Sequence, residues 1–166
     1  MSSRMFKFKF VTYVLFIVAI CNFHNLAQAQ QVVEQPKLKV YKTPTCGCCV
    51  KWLSHLSQQG ITHQVYDLQD LGNVKSQLNI KPRYQSCHTG VSDGGYVFEG
   101  HVPAKFIKQF LATPVKGAIG LSVPAMPLGS PGMEVGQRFH PYQVLVLMAD
   151  GSSQVFAEIS KYEEQF

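Results

Sequence analysis

Charge is scarce in this sequence: Asp, Glu, Lys and Arg make up 15% of its 166 residues, and only 10 residues are acidic. The sequence also lacks a Gly-rich phosphate loop, a G-x-S-x-G nucleophile motif and an H-E-x-x-H metalloprotease motif. It has no carboxylate pair of the kind that glycosidases and proteases use. These absences leave hydrolase functions without support.

The N-terminal segment has the order of a secretory signal peptide. Three basic residues precede an apolar run from Phe10 to Cys21, and a small-x-small cleavage site, Ala-Gln-Ala, ends at Ala29. The apolar run is too short to span a membrane comfortably. We therefore expect residues 1–29 to be removed, which leaves an exported, periplasmic protein with no stable membrane anchor.

Loss of this segment changes the charge of the protein. Lys plus Arg falls from 15 to 12 while Asp plus Glu stays at 10, so the net charge drops from +5 to +2. The remaining chain has neither a long basic run nor a nucleic-acid-binding motif, so no nucleic-acid partner is expected. Residues 30–36 are polar, end at Pro36 and are predicted to be a linker, followed by a single domain over residues 37–166.

The first half of this domain has an α/β pattern. A short strand is predicted at Leu38–Tyr41, and the apolar residues of Cys49–Leu56 recur with helical spacing. A second strand is predicted within Ile61–Leu68 and a second helix over Leu71–Leu78. This order of strand, helix, strand and helix is typical of a layered α/β fold.

The second half is less regular. A short strand is predicted at Tyr96–Phe98 and a third helix from Pro103 to Leu111. A stretch rich in proline and glycine, Lys116–Tyr142, is predicted to be a long functional loop. The chain then closes with a predicted β-hairpin, whose strands are Val144–Met148 and the alternating segment that ends at Ile159.

The cysteines carry the strongest functional signal. Four remain after the signal peptide is removed, at Cys46, Cys48, Cys49 and Cys87. Crowding of three in one turn favours a metal or redox site over a disulfide framework. The triplet lies where a strand leads into a helix, and a helix N-terminus lowers the pKa of thiols. Soft thiolates select Cu(I), with zinc as the usual competitor, and Cys87 is the candidate fourth ligand.

Four other side chains are weaker candidate ligands. His88 follows the last cysteine, His101 precedes the third helix, and Met126 and Met133 lie in the proline-rich loop. A lone histidine is more often a packed side chain, and a loop methionine usually fills an apolar gap. A thioether is nevertheless a soft ligand that cannot be lost to a disulfide. His55, on the predicted cluster helix, is interpreted as a surface residue.

Two other functions fit the same cysteines. The C-x-x-C spacing of Cys46 and Cys49 is that of a thiol–disulfide oxidoreductase, which would act without a metal. All four cysteines could instead form a structural zinc site. The residues assign no catalytic group, so enzymatic turnover, for example as a copper oxidoreductase, stays open.

Four strings, TPTCGCC, SCHTG, EGHVPA and VPAMPLGSPGME, occur in this order and together resemble exported copper-resistance proteins of the CopG type. The resemblance implies a thioredoxin-like, three-layer α/β domain with a C-terminal β-hairpin. It also implies copper as the bound metal, with a multinuclear, sulfur-bridged cluster as one form of the site and interconversion of Cu(I) and Cu(II) as a role. Copper ions, and other copper-resistance or electron-transfer proteins, are the implied partners.

The family pattern maps residue by residue onto this sequence, with one departure at Ala125, where the pattern has glycine. That departure matters only if the backbone there has a positive φ. The ligands that the resemblance implies are Cys46, Cys48, Cys49, Cys87, His88, His101, Met126 and Met133.

Overall fold

A seven-stranded mixed sheet organises the protein, which we describe from a computed structural model covering residues 35–166. The predicted signal peptide and most of the predicted linker lie outside the described residues. In the described part, no helix is long and apolar enough to cross a membrane. The mixed α/β class predicted from the sequence is confirmed.

The strands occur in the sheet in the order β2-β1-β3-β4-β5-β6-β7. They are β1 (Lys37–Lys42), β2 (Thr62–Asp67), β3 (His88–Ser92), β4 (Val97–Gly100), β5 (Ala118–Val123), β6 (Tyr142–Met148) and β7 (Ser153–Ile159). The α-helices are α1 (Gly47–Gln58), α2 (Gly72–Gln77) and α3 (Ala104–Ala112), and short 3-10 helices span Pro82–Tyr84 and Tyr162–Gln165.

The pairing of the strands is mixed. β1 is parallel to β2 and antiparallel to β3, and β3 is antiparallel to β4. β4 is parallel to β5, while β5, β6 and β7 form antiparallel pairs, with residues 149–152 connecting β6 to β7. This register brings together the last residue of β1, the first residue of β3 and the end of β4. The candidate site lies at this edge of the sheet.

Helix α1 forms for the reasons that the sequence suggests. Its apolar stripe, which includes Trp52, Leu53 and Leu56, is buried in the main core. Cys46 is its N-cap, and the helix ends just before Gly60, which has the positive φ (73°) typical of a residue that follows a helix. The first two strands and first two helices are therefore confirmed at close to their predicted bounds.

The prediction of one long loop over residues 116–142 is wrong in its first third, because β5 lies there. The sequence did not indicate this strand because Gly120 lies in its interior, and glycine there weakens the pattern that predicts a strand. The structure requires glycine at this position, because a Cβ there would overlap the carbonyl oxygen of Val97 on β4. A register shift between Ala118 and Gly120 adds an irregularity that no alternation pattern shows.

Candidate metal centre

The cysteine triplet lies at the junction of β1 and α1. The Cys49 N–H donates to Cys46 Sγ over 3.3 Å, so the first cysteine caps the helix that carries the other two. The first turn of the helix contains no acidic residue. Unpaired N–H groups and the helix dipole therefore favour negative charge on the sulfurs at this end.

Two of the four cysteines are oxidised in the structure. Cys46 and Cys49 form a disulfide, with their Cα atoms 5.3 Å apart, while Cys48 and Cys87 are free thiols. Disulfide sulfurs are poor metal ligands, because thiolates bind soft metals and a bridged sulfur carries no such charge. The structure therefore represents the oxidised form of the C-x-x-C pair.

The four sulfurs converge across two separate segments. Cys48 Sγ lies 3.6 Å from Cys46 Sγ and 3.8 Å from Cys87 Sγ. All four sulfur atoms lie within 4.8 Å of one another, so once the Cys46–Cys49 bridge is reduced they could hold a metal ion. The distal cysteine, which follows the 3-10 helix and precedes β3, thus reaches the triplet as the sequence predicted.

A second group of ligand atoms overlaps the first. Cys87 Sγ lies 3.2 Å from His88 Nδ1 and 3.3 Å from His101 Nε2. These three ligand atoms also lie within 4.8 Å of one another. Cys87 is therefore common to a group made of sulfur alone and a group of one sulfur and two imidazole nitrogens.

Both histidines are fully buried and suited to bind metal as neutral rings. Burial lowers the pKa of His101, and it lowers the pKa of His88 well below the usual range, with His101 and Lys75 acting in the same direction. The His101 Nδ1–H donates to the carbonyl oxygen of Pro131 over 2.8 Å, so in the neutral ring Nε2 presents its lone pair to Cys87.

His88 is held between two aromatic neighbours. Its ring centroid lies 4.2 Å from that of Trp52 and 4.9 Å from that of His101. Its Nε2 atom is buried, and no hydrogen-bond partner for it exists among residues 35–166. Buried polar groups in proteins usually have partners, so this buried nitrogen is unusual. The other ring nitrogen, Nδ1, is the one that faces the Cys87 thiol.

The Cys87 thiol is protonated in this environment. Burial raises its pKa to about 12, and the neighbouring Cys48 acts in the same direction. Binding of a metal cation at Cys87 must then release a proton, as is usual when thiols become ligands. Two histidines, four cysteines and no carboxylate make up the two groups, and this donor set fits Cu(I) or zinc rather than a hard cation.

The two methionines lie in a loop whose backbone reaches the site at two points. The Ser86 hydroxyl donates to the carbonyl oxygen of Ala125 over 2.5 Å, next to Met126, whose side chain is half exposed. A Cβ at Gly132, next to Met133, would lie 2.7 Å from the carbonyl oxygen of Cys48. The loop backbone thus contacts two segments of the cysteine cluster, and metal binding by Met126 and Met133 stays a prediction.

Ala125, the one departure from the family pattern, has a positive φ of 59°. A left-handed backbone costs a residue with a Cβ roughly 1–2 kcal/mol. We expect Ala125→Gly to leave stability unchanged or raise it by up to ~1 kcal/mol, whereas Ala157→Gly, in the interior of β7, should lower it by ~0.5–1 kcal/mol. Urea denaturation of both variants would measure the difference, and an equal loss in both would contradict the strain.

His55 is not a surface residue, contrary to the interpretation from the sequence. It is 8% exposed, and its Nε2 accepts a hydrogen bond of 3.0 Å from the N–H of Ala104 at the start of α3. Burial lowers the pKa of His55, which preserves the neutral acceptor. Its helical position is two turns from the cysteines, and the sequence pattern did not show that α3 packs there.

Sequence reasoning also missed a buried polar network beneath the site. Glu99 on β4 is fully buried and pairs with the buried ammonium of Lys75 on α2, 2.5 Å away. Burial raises the pKa of Glu99, and the ammonium opposes this effect. The sequence feature that could have identified Glu99 is its position directly after the apolar strand residues Val97 and Phe98.

Comparisons with known proteins agree with this site. A protein-family model described as "Protein of unknown function, DUF411" matches residues 84–133, which contain the distal cysteine, both histidines and both loop methionines. Two solved structures, "Copper resistance protein copG- Form 1" and "Form 2", are each 40% identical in sequence with a TM-score of 0.71. The matches cover 76% of this chain and 98% and 99% of those chains. No curated protein matches the chain.

The fold and the site define a mixed α/β protein with a cysteine cluster able to hold metal. At this identity and coverage, the chain belongs to the CopG family of copper-resistance proteins.

Proposed function

We propose that this protein binds Cu(I) through thiolates in the periplasm and serves copper resistance. The observation that carries the proposal is the convergence of four cysteine sulfurs within 4.8 Å at a helix N-terminus. Two buried imidazoles that share Cys87 extend this donor set. Soft sulfur donors select Cu(I), and the names of the two similar structures point to the same metal. Export rests on the signal peptide predicted at residues 1–29.

The proposed ligands differ in role. Cys46, Cys48 and Cys49 supply thiolates from the start of α1, and Cys87 closes the sulfur group from the neighbouring segment. His88 and His101 add nitrogen ligands, which favour Cu(II) more than thiolates do. This mixed set would give the site access to both oxidation states of copper.

Met126 and Met133 are the proposed exchangeable ligands. They lie in the loop whose backbone contacts Ser86 and Cys48, so each is close in the chain to a point of contact with the site. A thioether binds Cu(I) without deprotonation. The loop could thus accept copper from, or pass it to, another copper-resistance or electron-transfer protein.

The first four strands support a thioredoxin-like core as the finer description of the fold. Their sheet order is β2-β1-β3-β4, with β1 parallel to β2 and antiparallel to β3. In chain order, α1 and α2 follow β1 and β2, and α3 follows β4. The cysteine pair at the start of α1 then occupies the position that the redox C-x-x-C pair has in that fold.

The test is the number of copper ions bound by the reduced chain, counted by elemental analysis after anaerobic loading with Cu(I). Cys48→Ser is expected to lower both the number of ions and the affinity, the latter by more than about 100-fold, because changes outside the ligand shell alone cost about 10–100-fold. Val50→Ser is the matched control, since Val50 is 55% exposed on the same helix turn and has no ligand atom. Absence of bound copper in the wild-type chain, or one zinc ion that outcompetes it, would contradict the proposal.

The Cys46–Cys49 disulfide supports a second candidate function, disulfide exchange without metal. In that reaction the thiolate of a substrate attacks one sulfur of the bridge, the other leaves as a thiolate, and a mixed disulfide forms. A second substrate thiolate then resolves the mixed disulfide, so the substrate is oxidised to a disulfide and Cys46 and Cys49 are reduced. Oxidation of a dithiol peptide by the metal-free, bridged chain, at a rate unchanged in Cys48→Ser, would favour this function. Loss of copper binding in the same variant would favour the first.

A further inference from the structure

The buried carboxylate of Glu99 lies directly beneath the segment that carries two of the proposed ligands. Glu99 on β4 is paired in register with Thr89 on β3, and neither side chain is exposed. The two strands lead to the site from opposite directions: β3 begins at His88, and β4 ends one residue before His101. Glu99 is therefore close in the chain to His101, and across the ladder it lies next to the strand that begins at His88.

Glu99 binds both flanks of the Cys87–His88 pair. Its Oε1 accepts a hydrogen bond of 2.6 Å from the backbone N–H of Ser86, and its Oε2 accepts one of 2.6 Å from the hydroxyl of Thr89. Residues 86 and 89 stand immediately before and after the ligand pair. The backbone that carries Cys87 Sγ and the His88 ring is thus held at both ends by one carboxylate.

Lys75 completes the network from α2. Its ammonium donates to Glu99 Oε1 and, over 3.0 Å, to the hydroxyl of Thr89. A buried ion pair is weak evidence for stability, because removing two charges from water costs about as much as their attraction returns, and apolar replacements are often neutral or stabilising. Directional bonds to a backbone N–H and a hydroxyl are features that an apolar pair could not reproduce.

The geometry points to Glu99 as a positioning residue of the metal centre. We propose that its hydrogen bond from Ser86 fixes Cys87 and His88 where they meet Cys48 and His101. The inference rests on the proposed function for its consequence, which is tight Cu(I) binding. The proposed immobilisation of the Ser86–Thr89 segment does not depend on metal, so it can be measured separately in the metal-free chain.

The alternative explanation is that Glu99 only neutralises Lys75. Two double variants separate the explanations, because both remove both charges. Lys75→Met/Glu99→Gln retains an amide oxygen that can accept from the Ser86 N–H, whereas Lys75→Met/Glu99→Leu retains no acceptor. If the hydrogen bond to Ser86 matters, the two double variants should differ in Cu(I) affinity and in amide exchange at Ser86. If Glu99 only neutralises Lys75, the two double variants should give the same values.

The first measurement is Cu(I) affinity in competition with a chelator, bathocuproine disulfonate, together with the luminescence of the Cu(I)–thiolate centre. The Leu double variant is expected to bind Cu(I) about 10–100-fold more weakly than the wild-type chain, with altered luminescence, as is typical when a group that orients a ligand is lost. The Gln double variant should stay close to the wild-type chain. Equal affinities in the two double variants would overturn the proposal.

The second measurement uses the metal-free chain. We expect slow hydrogen exchange at the Ser86 amide in the wild-type chain and the Gln double variant, and exchange at least about tenfold faster in the Leu double variant. Alkylation of Cys87 by iodoacetamide, identified by peptide mass spectrometry, should accelerate in the same variant only.

Fast exchange at Ser86 in the wild-type chain would overturn the proposal even if the Leu double variant did not fold. If the wild-type chain bound no Cu(I), the proposed function would fail, while amide exchange and alkylation would still decide the role of Glu99.

Discussion

Reduction of the Cys46–Cys49 disulfide is expected to raise the affinity of the chain for Cu(I) by more than about 10³-fold. The bridge removes two of the four thiolates, leaving Cys48 and Cys87 as free sulfurs. If four ligands together contribute the ~10–16 kcal/mol that is typical of a structural zinc site, two of them contribute roughly half. A loss of that size corresponds to more than about 10³-fold in affinity.

The measurement is Cu(I) titration of the oxidised chain and of the chain treated with a reductant that contains no thiol. The double variant Cys46→Ser/Cys49→Ser is the control, because it has no bridge to reduce and should bind weakly under both conditions. Equal affinity of the oxidised and reduced wild-type chains would show that the bridged pair takes no part in binding copper.

Gly132→Ala should destabilise the loop that carries Met126 and Met133 and disturb the metal centre beside it. Gly132 has a φ of 91°, and an added Cβ would lie 2.7 Å from the carbonyl oxygen of Cys48 and 2.8 Å from the backbone nitrogen of Trp52. Both are backbone atoms of α1, so neither can rotate away. Backbone strain of roughly 1–2 kcal/mol and overpacking of roughly 1–3 kcal/mol predict a total loss of roughly 2–5 kcal/mol.

Gly136→Ala is the matched control for this change. Gly136 lies in the same loop with a positive φ of 60°, but nothing lies within 4 Å of an added Cβ. Urea denaturation should show a loss of only roughly 1–2 kcal/mol, from strain alone. Cu(I) affinity should fall for Gly132→Ala only, because the loop carbonyl that orients His101 belongs to the preceding residue, Pro131. Equal effects of the two variants on stability and affinity would show that the close approach to α1 has no consequence.

The sequence predicted the parts of the fold whose signal is local. The helical stripe of α1 and the short apolar strand β1 depend on nearest neighbours along the chain, and both are confirmed. Strand β5 was missed because Gly120 is there to let the backbone of Val97 approach closely, and a close approach between strands leaves no periodic pattern.

The sequence identified candidate members of the site, but it did not show how they are arranged. Cysteine crowding identified the triplet, position along the chain made His88 and His101 weaker candidates, and the family resemblance then included both. The division into a sulfur group and a mixed group joined at Cys87 depends on the register of β3 with β4, which periodicity does not encode. Glu99 was missed because a charged residue at a strand end is usually exposed, and only the fold shows that Lys75 and Ser86 meet it.

The contact of Trp52 with His88 gives the protein an optical reporter of its own. Trp52 is the single tryptophan in the sequence, it is fully buried, and its indole N–H is bonded to the carbonyl oxygen of Val102. All of the indole emission therefore arises from one fixed ring, 4.2 Å from a proposed ligand ring. Trp52 also lies one turn after Cys48 and Cys49 on α1, so events at the histidines and at the cysteine triplet can both be followed in the unlabelled protein by fluorescence.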